Sequence, residues 1–324
     1  MAPQAIRRTV GAIGVCCAIG GAAVVCAQAY PSKVIRVVIT SAGSGPDTMM
    51  RLIGHKLTEA WGQQLVIDPR PGASGRIAAE YVARAAPDGY TLMVVTSMFA
   101  IGAALHEKLP YDAIRDFAPV ILMASNPFVL VVHPSLPARS VQDLITLAKA
   151  RSGQLHNGSS GAGSPGGLAL QRLKSMAQID IVNVPYKAGA QAVSDTTAGQ
   201  LQMTFAVVTS VLPAVKQGRL RGLGVTSLKR TPLAPQIPTV AETVPGYEVI
   251  GWYGLVAPVN TLPEIISRLN AEIGKVLQTA DFRDKLSSMG ADVYGSTQQE
   301  FATYLAAQIE MNRKLIRESG AQPE

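Results

Sequence analysis

The chain has 324 residues, of which 48% are hydrophobic and 16% are charged, and its formal net charge is +7 at pH 7. This length is enough for two domains, and the basic residues are too scattered to form the stripe by which a protein binds nucleic acid. A mild positive charge suits an anionic ligand, although an exported protein with a basic pI needs no partner to explain it.

The first 29 residues have the pattern of a secretory signal peptide. Arg7 and Arg8 precede an uncharged apolar run that closes in Ala27-Gln28-Ala29, with small residues where a signal peptidase needs them. An uncleaved anchor is the alternative. Cleavage before Tyr30 removes two arginines and no acidic residue, which leaves 27 basic against 22 acidic residues. We therefore expect a periplasmic protein, and no later run of eighteen apolar residues could span a membrane.

The three cysteines of the chain all lie in this N-terminal segment, at positions 16, 17 and 26. The mature chain would therefore have no thiol. This excludes cysteine metal sites, cysteine nucleophiles and disulfides from its chemistry.

Short apolar runs alternate with helical segments through the rest of the chain. We predict strands at 34–39 and in QLVIDPR, YTLMVVT, FVLVVHP, IDIVNVPY, LQMTFAVV, LRGLGVTS and VIGWYGLVAP. Helical spacing of apolar residues is found between the first and second strands, in TMMRLIGHKLTEAWG, and between the second and third, in RIAAEYVARA. The alternation predicts an α/β fold with parallel sheets covered by helices on both faces.

The C-terminal part is predicted to be helical after an irregular connection. The proline-rich segment 229–246 has no periodic pattern. Thr261, with Pro263 after it, is a candidate cap for one helix, and Thr297 with Glu300 forms a capping box for the last.

Three glycine-containing loops join predicted strands to predicted helices, at residues 40–47, 71–75 and 157–167. Glycine lets the backbone approach a ligand closely, and a following helix offers unpaired N–H groups and the positive end of its dipole. Such junctions suit a phosphate or a carboxylate. Turns that only need a positive φ would explain any one of them, but explain three hydroxyl-rich loops less well.

The third loop contains G-x-G-x-x-G in Gly161, Gly163 and Gly166, which suggests a dinucleotide site. That site needs an acidic residue at the end of the next strand, and the nearest candidate, Asp180, opens its strand instead. There is no Walker A motif and no G-x-S-x-G elbow. The four histidines are far apart, without metal-ligand spacing. We therefore expect no cofactor, no metal and no catalytic residue.

The motifs taken in order resemble one family over nearly all of the chain after Tyr30. They run YPSKVIRVVI, GSGPDTMMR, GQQLVIDPRPGASGRIAAE, APDGYTLMVVTS and KLPYDAIRDFAPV, then NGSSGAGSP, VPYKAG, DTTAGQLQMTF, GRLRGLGVTSLKR, IPTVAE and PGYEVIGWYGLVAP. This order is similar to the Bug family, the TctC-like extracytoplasmic solute receptors of tripartite tricarboxylate transporters.

The resemblance implies a type II periplasmic-binding-protein fold, with two α/β domains and a ligand cleft between them. Chain crossings near 124–126 and 249–251 would place residues 30–125 and 250–324 in the first domain and residues 126–249 in the second. A ligand that touches both domains would favour the closed state, which a membrane partner can recognise.

The resemblance also implies a pocket of four loops in which backbone and hydroxyl groups hold a carboxylate. Carried over by position, the ligand-binding residues are Thr40, Gly43, Gly45, Asp47, Pro71, Gly72, Ala73, Thr96, Ser97, Ser159, Ser160 and Ser164. Asp47 is expected to be structural or to hold a polar ligand group, because two carboxylates repel each other.

Several positions around this expected pocket depart from the family's usual residues. Thr40 replaces an aromatic residue, Gly102 an Asn, Ala206 an acidic residue, and Gly167 and Gln171 a His and a Glu. These changes remove the groups that would contact an amino group. We therefore expect a ligand with one carboxylate and a less polar remainder, which Met98, Phe99 and Trp252 could line unless they are ordinary packing residues.

The expected function is that of a monomeric receptor that delivers a small organic carboxylate to the permease subunits of a tripartite tricarboxylate transporter. Presentation of the ligand to a membrane sensor kinase is one alternative. An exported hydrolase is another, and its distinguishing feature would be an activated serine.

Overall fold

The computed structural model describes residues 30–319, apart from Glu107 and Ala162. The signal peptide expected at residues 1–29 lies outside this range. Between Tyr30 and Ser319, no helix combines the length and the apolar character that crossing a membrane requires.

Strands and helices alternate along most of the described chain, as the apolar runs predict. The strands are β1 (Ile35–Ile39), β2 (Leu65–Pro69), β3 (Thr91–Thr96), β4 (Phe117–Val132), β5 (His156–Ser159), β6 (Val182–Pro185), β7 (Met203–Val207), β8 (Arg221–Val225), β9 (Ile250–Pro258) and β10 (Asp292–Val293). The helices are α1 (Gly45–Trp61), α2 (Arg76–Ala83), α3 (Ser97–Leu105), α4 (Val141–Ala150), α5 (Pro165–Ala177), α6 (Gly189–Thr197), α7 (Val208–Lys216), α8 (Pro263–Leu277), α9 (Ala280–Ser288) and α10 (Gln298–Ser319). The α/β class is thereby confirmed.

The long strand β4 joins two sheets. The first sheet has the order β2-β1-β3-β9-β4, with β10 also on β4, and the second combines β8, β4, β7, β5 and β6. Up to Pro127, β4 pairs with β9, and from Phe128 it pairs with β7 and β8. The chain thus leaves the first sheet at Pro127 and re-enters it at Ile250, beside the expected crossings. We call the two halves the first and the second lobe; the exact domain bounds stay a prediction.

The expected parallel pairing is present in both sheets, but the sheets are mixed because the crossing strands are antiparallel. Strands β1, β2 and β3 are parallel, as are β5, β6 and β7. The crossing strands β4 and β9 run antiparallel to each other and to the strand beside them in each sheet. A strand that passes from one lobe to the other is not part of a strand–helix–strand unit in either lobe. Its direction relative to the parallel strands is therefore not fixed by the rule that makes those units parallel.

Alternating side chains on the strands fill the core on both faces of each sheet. On β3, Leu92 and Val94 point into one cluster while Met93 and Val95 point into another. On β4, Leu130 and Val132 face one cluster of the second lobe, and Val129 and Val131 face the other. Each lobe therefore has its own two-sided core.

A smaller apolar cluster connects the lobes. Ile101 of α3 packs with Leu168 of α5 and with Leu315 and Ile316 of α10. Helix α10 thereby lies against both lobes. Its start confirms the predicted capping box, because Glu300 N donates to Thr297 Oγ1 at 3.2 Å and Thr297 N donates to Glu300 Oε2 at 2.8 Å.

The predicted cap of α8 is wrong. Leu262 occupies the N-cap position and makes no side-chain cap bond. Thr261 instead donates its hydroxyl to the carbonyl oxygen of Pro258 at 2.7 Å, so it closes the turn that leaves β9.

Candidate functional site

A cavity of about 230 Å³ opens at the carboxyl ends of β1, β2 and β3. These three strands are parallel, so their carboxyl ends meet at one edge of the sheet, where ligands of α/β proteins commonly bind. The lining residues are Thr40, Gly72, Ser74, Gly75, Arg76, Met93, Thr96, Met98, Phe99, Gly102, His106 and Tyr111. Thr40, Gly72 and Thr96 of the expected site are therefore brought together, all from the first lobe.

The loop after β2 has a strained backbone. Gly72, Ala73, Ser74 and Gly75 all have positive φ, at 117°, 46°, 53° and 90°. Left-handed conformations cost non-glycine residues about 1–2 kcal/mol each, and such strain clusters at functional sites. Turns of this kind can gather backbone N–H groups into a concave nest that suits an anion.

Glycine is required at position 75 for a second reason. A Cβ at Gly75 would lie 2.9 Å from Cγ2 of Thr40, so any side chain there would collide with the residue that follows β1. The close approach brings the strained loop and Thr40 to the same side of the cavity.

Arg76 contributes a cation to the cavity lining. It is the first residue of α2 and is half-buried. Its Nε donates to the carbonyl oxygen of Ala73 at 3.3 Å, and it makes no ion pair with any acidic residue in the described part of the chain. A cation without an acidic partner, next to a concave loop, favours an anionic ligand.

His106 and Tyr111 also line the cavity and respond to its surroundings. Burial lowers the pKa of His106 below its ordinary 6.5, and the positive charge of Arg76 lowers it further. Burial raises the pKa of Tyr111 to about 12, although Arg76 opposes this shift. At neutral pH the cavity therefore contains a neutral imidazole, a neutral phenol and one guanidinium.

Apolar side chains supply the remainder of the lining. Met93 belongs to β3, whereas Met98 and Phe99 belong to the first turn of α3. The rings of Phe99 and Tyr111 are stacked with their centroids 6.0 Å apart. Met98 and Phe99 thus lie where a less polar part of a ligand was expected.

Trp252 does not line the cavity, which favours the alternative that it is an ordinary packing residue. Its side chain is fully buried and packs edge-on against Phe301 and Tyr304. The alternation of β9 turns it into the core between the sheet and α10.

Apart from Thr40, the segment after β1 does not line the cavity, although Gly43, Gly45 and Asp47 were expected there. Asp47 is only 4% exposed. Its Oδ2 accepts the N–H of Gly43 at 2.7 Å, and its Oδ1 lies 2.7 Å from Nε of Arg51. Both carboxylate oxygens are thus engaged within the loop and α1, which favours the structural interpretation of Asp47.

Three further residues of the expected site flank the cavity without lining it. Pro71 and Ala73 are exposed members of the strained loop. Ser97 is the first residue of α3, after Thr96, whose hydroxyl oxygen accepts the N–H of Met98 at 3.2 Å and caps that helix.

The serine loop of the second lobe contacts α3 but does not line the cavity. Oγ of Ser159 lies 3.0 Å from the Gly161 carbonyl oxygen and 2.9 Å from Oδ1 of Asn183. Ser164 donates to the same carbonyl at 2.7 Å and accepts the N–H of Gly167 at 3.1 Å, which makes it the N-cap of α5. Ser160 is exposed, and its hydroxyl has no partner among the described residues.

Arg76, His106 and Tyr111 were not anticipated from the sequence. Arg76 could have been, because it follows the strained loop directly and begins a helix. His106 follows α3 without a motif, and Tyr111 lies in the family motif KLPYDAIRDFAPV, which by itself assigns it no place in the pocket. Only the fold brings these two residues to the cavity.

Comparison with known proteins identifies the family of the chain. The tripartite tricarboxylate transporter family receptor model matches residues 49–321. The chain belongs to this family. Protein BugT of Bordetella pertussis, a relative of the receptor, is 31% identical over 98% of both chains.

Solved structures of related proteins share the fold of the receptor. Rpa4515 of R. palustris with adipate is 36% identical, with a TM-score of 0.76, covering 91% of this chain and 100% of that one. MatC (Rpa3494) from Rhodopseudomonas palustris with bound malate is 28% identical, with a TM-score of 0.71, covering 89% and 100%. The likeness confirms the two-domain periplasmic solute-binding fold and the resemblance to Bug and TctC receptors.

Proposed function

We propose that this receptor captures one small carboxylate-containing molecule in the periplasm and delivers it to a tripartite tricarboxylate-type membrane transporter. The observation that carries the proposal is the guanidinium of Arg76, which lines the cavity without an acidic partner in the described chain. The ligands of Rpa4515 and MatC, adipate and malate, are carboxylates, which supports the same ligand class here.

The carboxylate is held at the polar side of the cavity. The loop after β2 offers backbone N–H groups from Gly72 to Ser74, whereas the N–H of Gly75 already donates to the Gly72 carbonyl oxygen at 2.9 Å. Thr40 has a hydroxyl without a partner in the described residues. Arg76 adds a charged donor beside them. Hydrogen bonds to charged groups contribute about 1.5–3 kcal/mol each, enough to orient a small acid in the cavity.

The second lobe closes over the bound ligand. We propose that residues 30–125 and 250–324 form one domain and residues 126–249 the other, with β4 and β9 as the hinge strands. Ser160 is then the serine that reaches the ligand, because the hydroxyls of Ser159 and Ser164 are engaged within their own loop. Closure follows if the ligand binds the closed state more tightly than the open one.

A binding role without catalysis fits the polar contacts better than a hydrolase does. A catalytic serine needs a hydrogen-bonded base that a third group orients. The serine–histidine contact between Ser135 Oγ and His133 Nδ1, at 2.7 Å, is exposed and outside the cavity. His133 has no carboxylate partner among the described residues.

The test is a thermal-shift screen of residues 30–324 against mono-, di- and tricarboxylates and amino acids. A ligand that binds only the native state at about 100 times its dissociation constant stabilises it by about 2.7 kcal/mol. We expect one or more acids to raise the unfolding midpoint, and Thr40→Val to reduce that shift.

Thr91→Val is the matched control. Thr91 is a threonine of the same sheet, but it lies at the start of β3, at the opposite end of the strand from the cavity, and does not line it. It should leave the ligand shift unchanged. A folded, ligand-free sample that responds to no acid would contradict the proposed function. Delivery is tested separately, by loss of uptake of the identified acid when the receptor is deleted from cells.

A further inference from the structure

One face of α3 has a gap in its row of side chains. Met98 and Gly102 are four residues apart on α3, so they lie above one another along the helix. His106 follows α3 directly, four residues after Gly102, and all three residues line the cavity. Gly102, the middle member, has no side chain. The row is therefore open at its centre, between a methionine and a histidine.

The gap opens onto free space. A Cβ built at Gly102 would have no atom of another residue within 4 Å, and φ of Gly102 is not positive, so its backbone does not require glycine. Glycine inside a helix lowers helix stability relative to alanine. Neither packing nor backbone conformation explains a glycine here, whereas an open cavity does.

The size and lining of the space indicate what fills it. The cavity measures about 230 Å³, and an apolar cavity of about 150 Å³ is large enough to hold benzene. Phe99 and Tyr111 present stacked aromatic rings, and Met93 and Met98 present thioethers, which make favourable contacts with aromatic rings. The space thus fits a six-membered ring.

The charges of the lining indicate one carboxylate and not two. Arg76 is the cationic side chain of the lining at neutral pH, because burial and Arg76 itself keep His106 neutral. A second carboxylate in the apolar part would be desolvated without a charged partner, which is costly.

We propose that Gly102 determines ligand size, and that the receptor binds monocarboxylates with a compact ring-sized apolar body, of which benzoate is the simplest. This rests on the proposed function, since the carboxylate is the group held beside Arg76. The ring occupies the space that the missing side chain leaves on α3, in the cavity that Phe99 and Tyr111 also line.

The experiment measures calorimetric affinities of residues 30–324 for benzoate, cyclohexanecarboxylate, acetate and adipate. We expect the two ring acids to bind at least tenfold more tightly than acetate and adipate. Gly102→Leu, which fills the space, should weaken the ring acids at least tenfold and leave acetate unchanged. Gly102→Ala should have an intermediate effect.

Gly274→Leu is the matched control. Gly274 also lies inside a helix, α8, with nothing within 4 Å of a built Cβ, but it is remote from the cavity lining. The change should alter no affinity, and urea midpoints report whether both leucine variants are folded. Equal loss of ring-acid affinity in both variants would overturn the role of Gly102.

Two other outcomes separate this inference from the proposed function. Tighter binding of adipate than of both ring acids, or unaltered ring-acid affinity in folded Gly102→Leu, would overturn the inference and leave a carboxylate receptor. Binding of no carboxylate by the folded wild-type chain would overturn both.

Discussion

Replacing Arg76 with methionine should abolish most of the ligand affinity while leaving the fold nearly unchanged. The guanidinium is half-buried and holds one bond within the protein, from Nε to the Ala73 carbonyl oxygen at 3.3 Å. Its loss should therefore change the free energy of unfolding by less than about 0.5 kcal/mol. The lost charged hydrogen bond to the ligand costs about 1.5–3 kcal/mol, which corresponds to roughly a 10- to 150-fold weaker affinity.

The assay is isothermal titration of the identified acid, with urea unfolding of the same samples. Arg84→Met is the control, because Arg84 lies at the other end of α2 and pairs with Glu80 at 2.7 Å, away from the cavity. Arg76→Lys should recover part of the affinity, since lysine keeps the charge but not the planar fork. An affinity within about threefold of wild type in folded Arg76→Met would refute the role of the guanidinium.

Three further predictions follow from the same contacts. Lowering the pH through the range in which His106 takes up a proton should tighten carboxylate binding. The free protein favours the neutral imidazole, whereas a bound anion raises the pKa of His106 and so couples binding to proton uptake. His106→Gln should flatten this pH dependence of the affinity, and an unchanged profile in that variant would contradict the prediction. Ser160→Ala should weaken binding by the roughly two- to twelvefold of one neutral hydrogen bond without loss of stability. Ser164→Ala should instead lower the free energy of unfolding by about 0.5–2 kcal/mol, because it removes the N-cap of α5, and should leave the ligand affinity unchanged. Urea unfolding and ligand titration of both variants distinguish the two effects. Gly75→Ala should destabilise the protein by more than Gly62→Ala does, because both glycines have positive φ but only Gly75 would bring a Cβ against Thr40; equal unfolding midpoints would contradict the packing of the loop.

The sequence predicts the fold well where local pattern decides it. Apolar runs located β1 and β3, and the capping box located the start of α10. The apolar pattern did not predict β5, because its sequence HNGS contains no large apolar residue. That strand lies between β6 and β7. Leu201 and Ala192 pack over its Gly158, where a Cβ would lie within 2.8 Å of both, and these contacts come from residues far away in the chain.

The sequence predicts the part of the cavity lining that follows directly from the strands. Thr40, Gly72 and Thr96 lie at or just after the carboxyl ends of parallel strands, so their meeting follows from the β2-β1-β3 order of the sheet. His106 and Tyr111 reach the cavity through a helix and a turn, whose direction no local motif determines. The sequence left two roles open for Trp252, because an aromatic residue has the same signature in a core as in a pocket.

The most direct test of the central claim compares the best-binding acid with its primary amide, which has nearly the same shape but no charge, by isothermal titration. Recognition through Arg76 and the loop after β2 predicts that the acid binds and that the amide binds at least about tenfold more weakly, a difference of about 1.4 kcal/mol. Equal affinities for acid and amide would show that the cavity does not recognise a carboxylate.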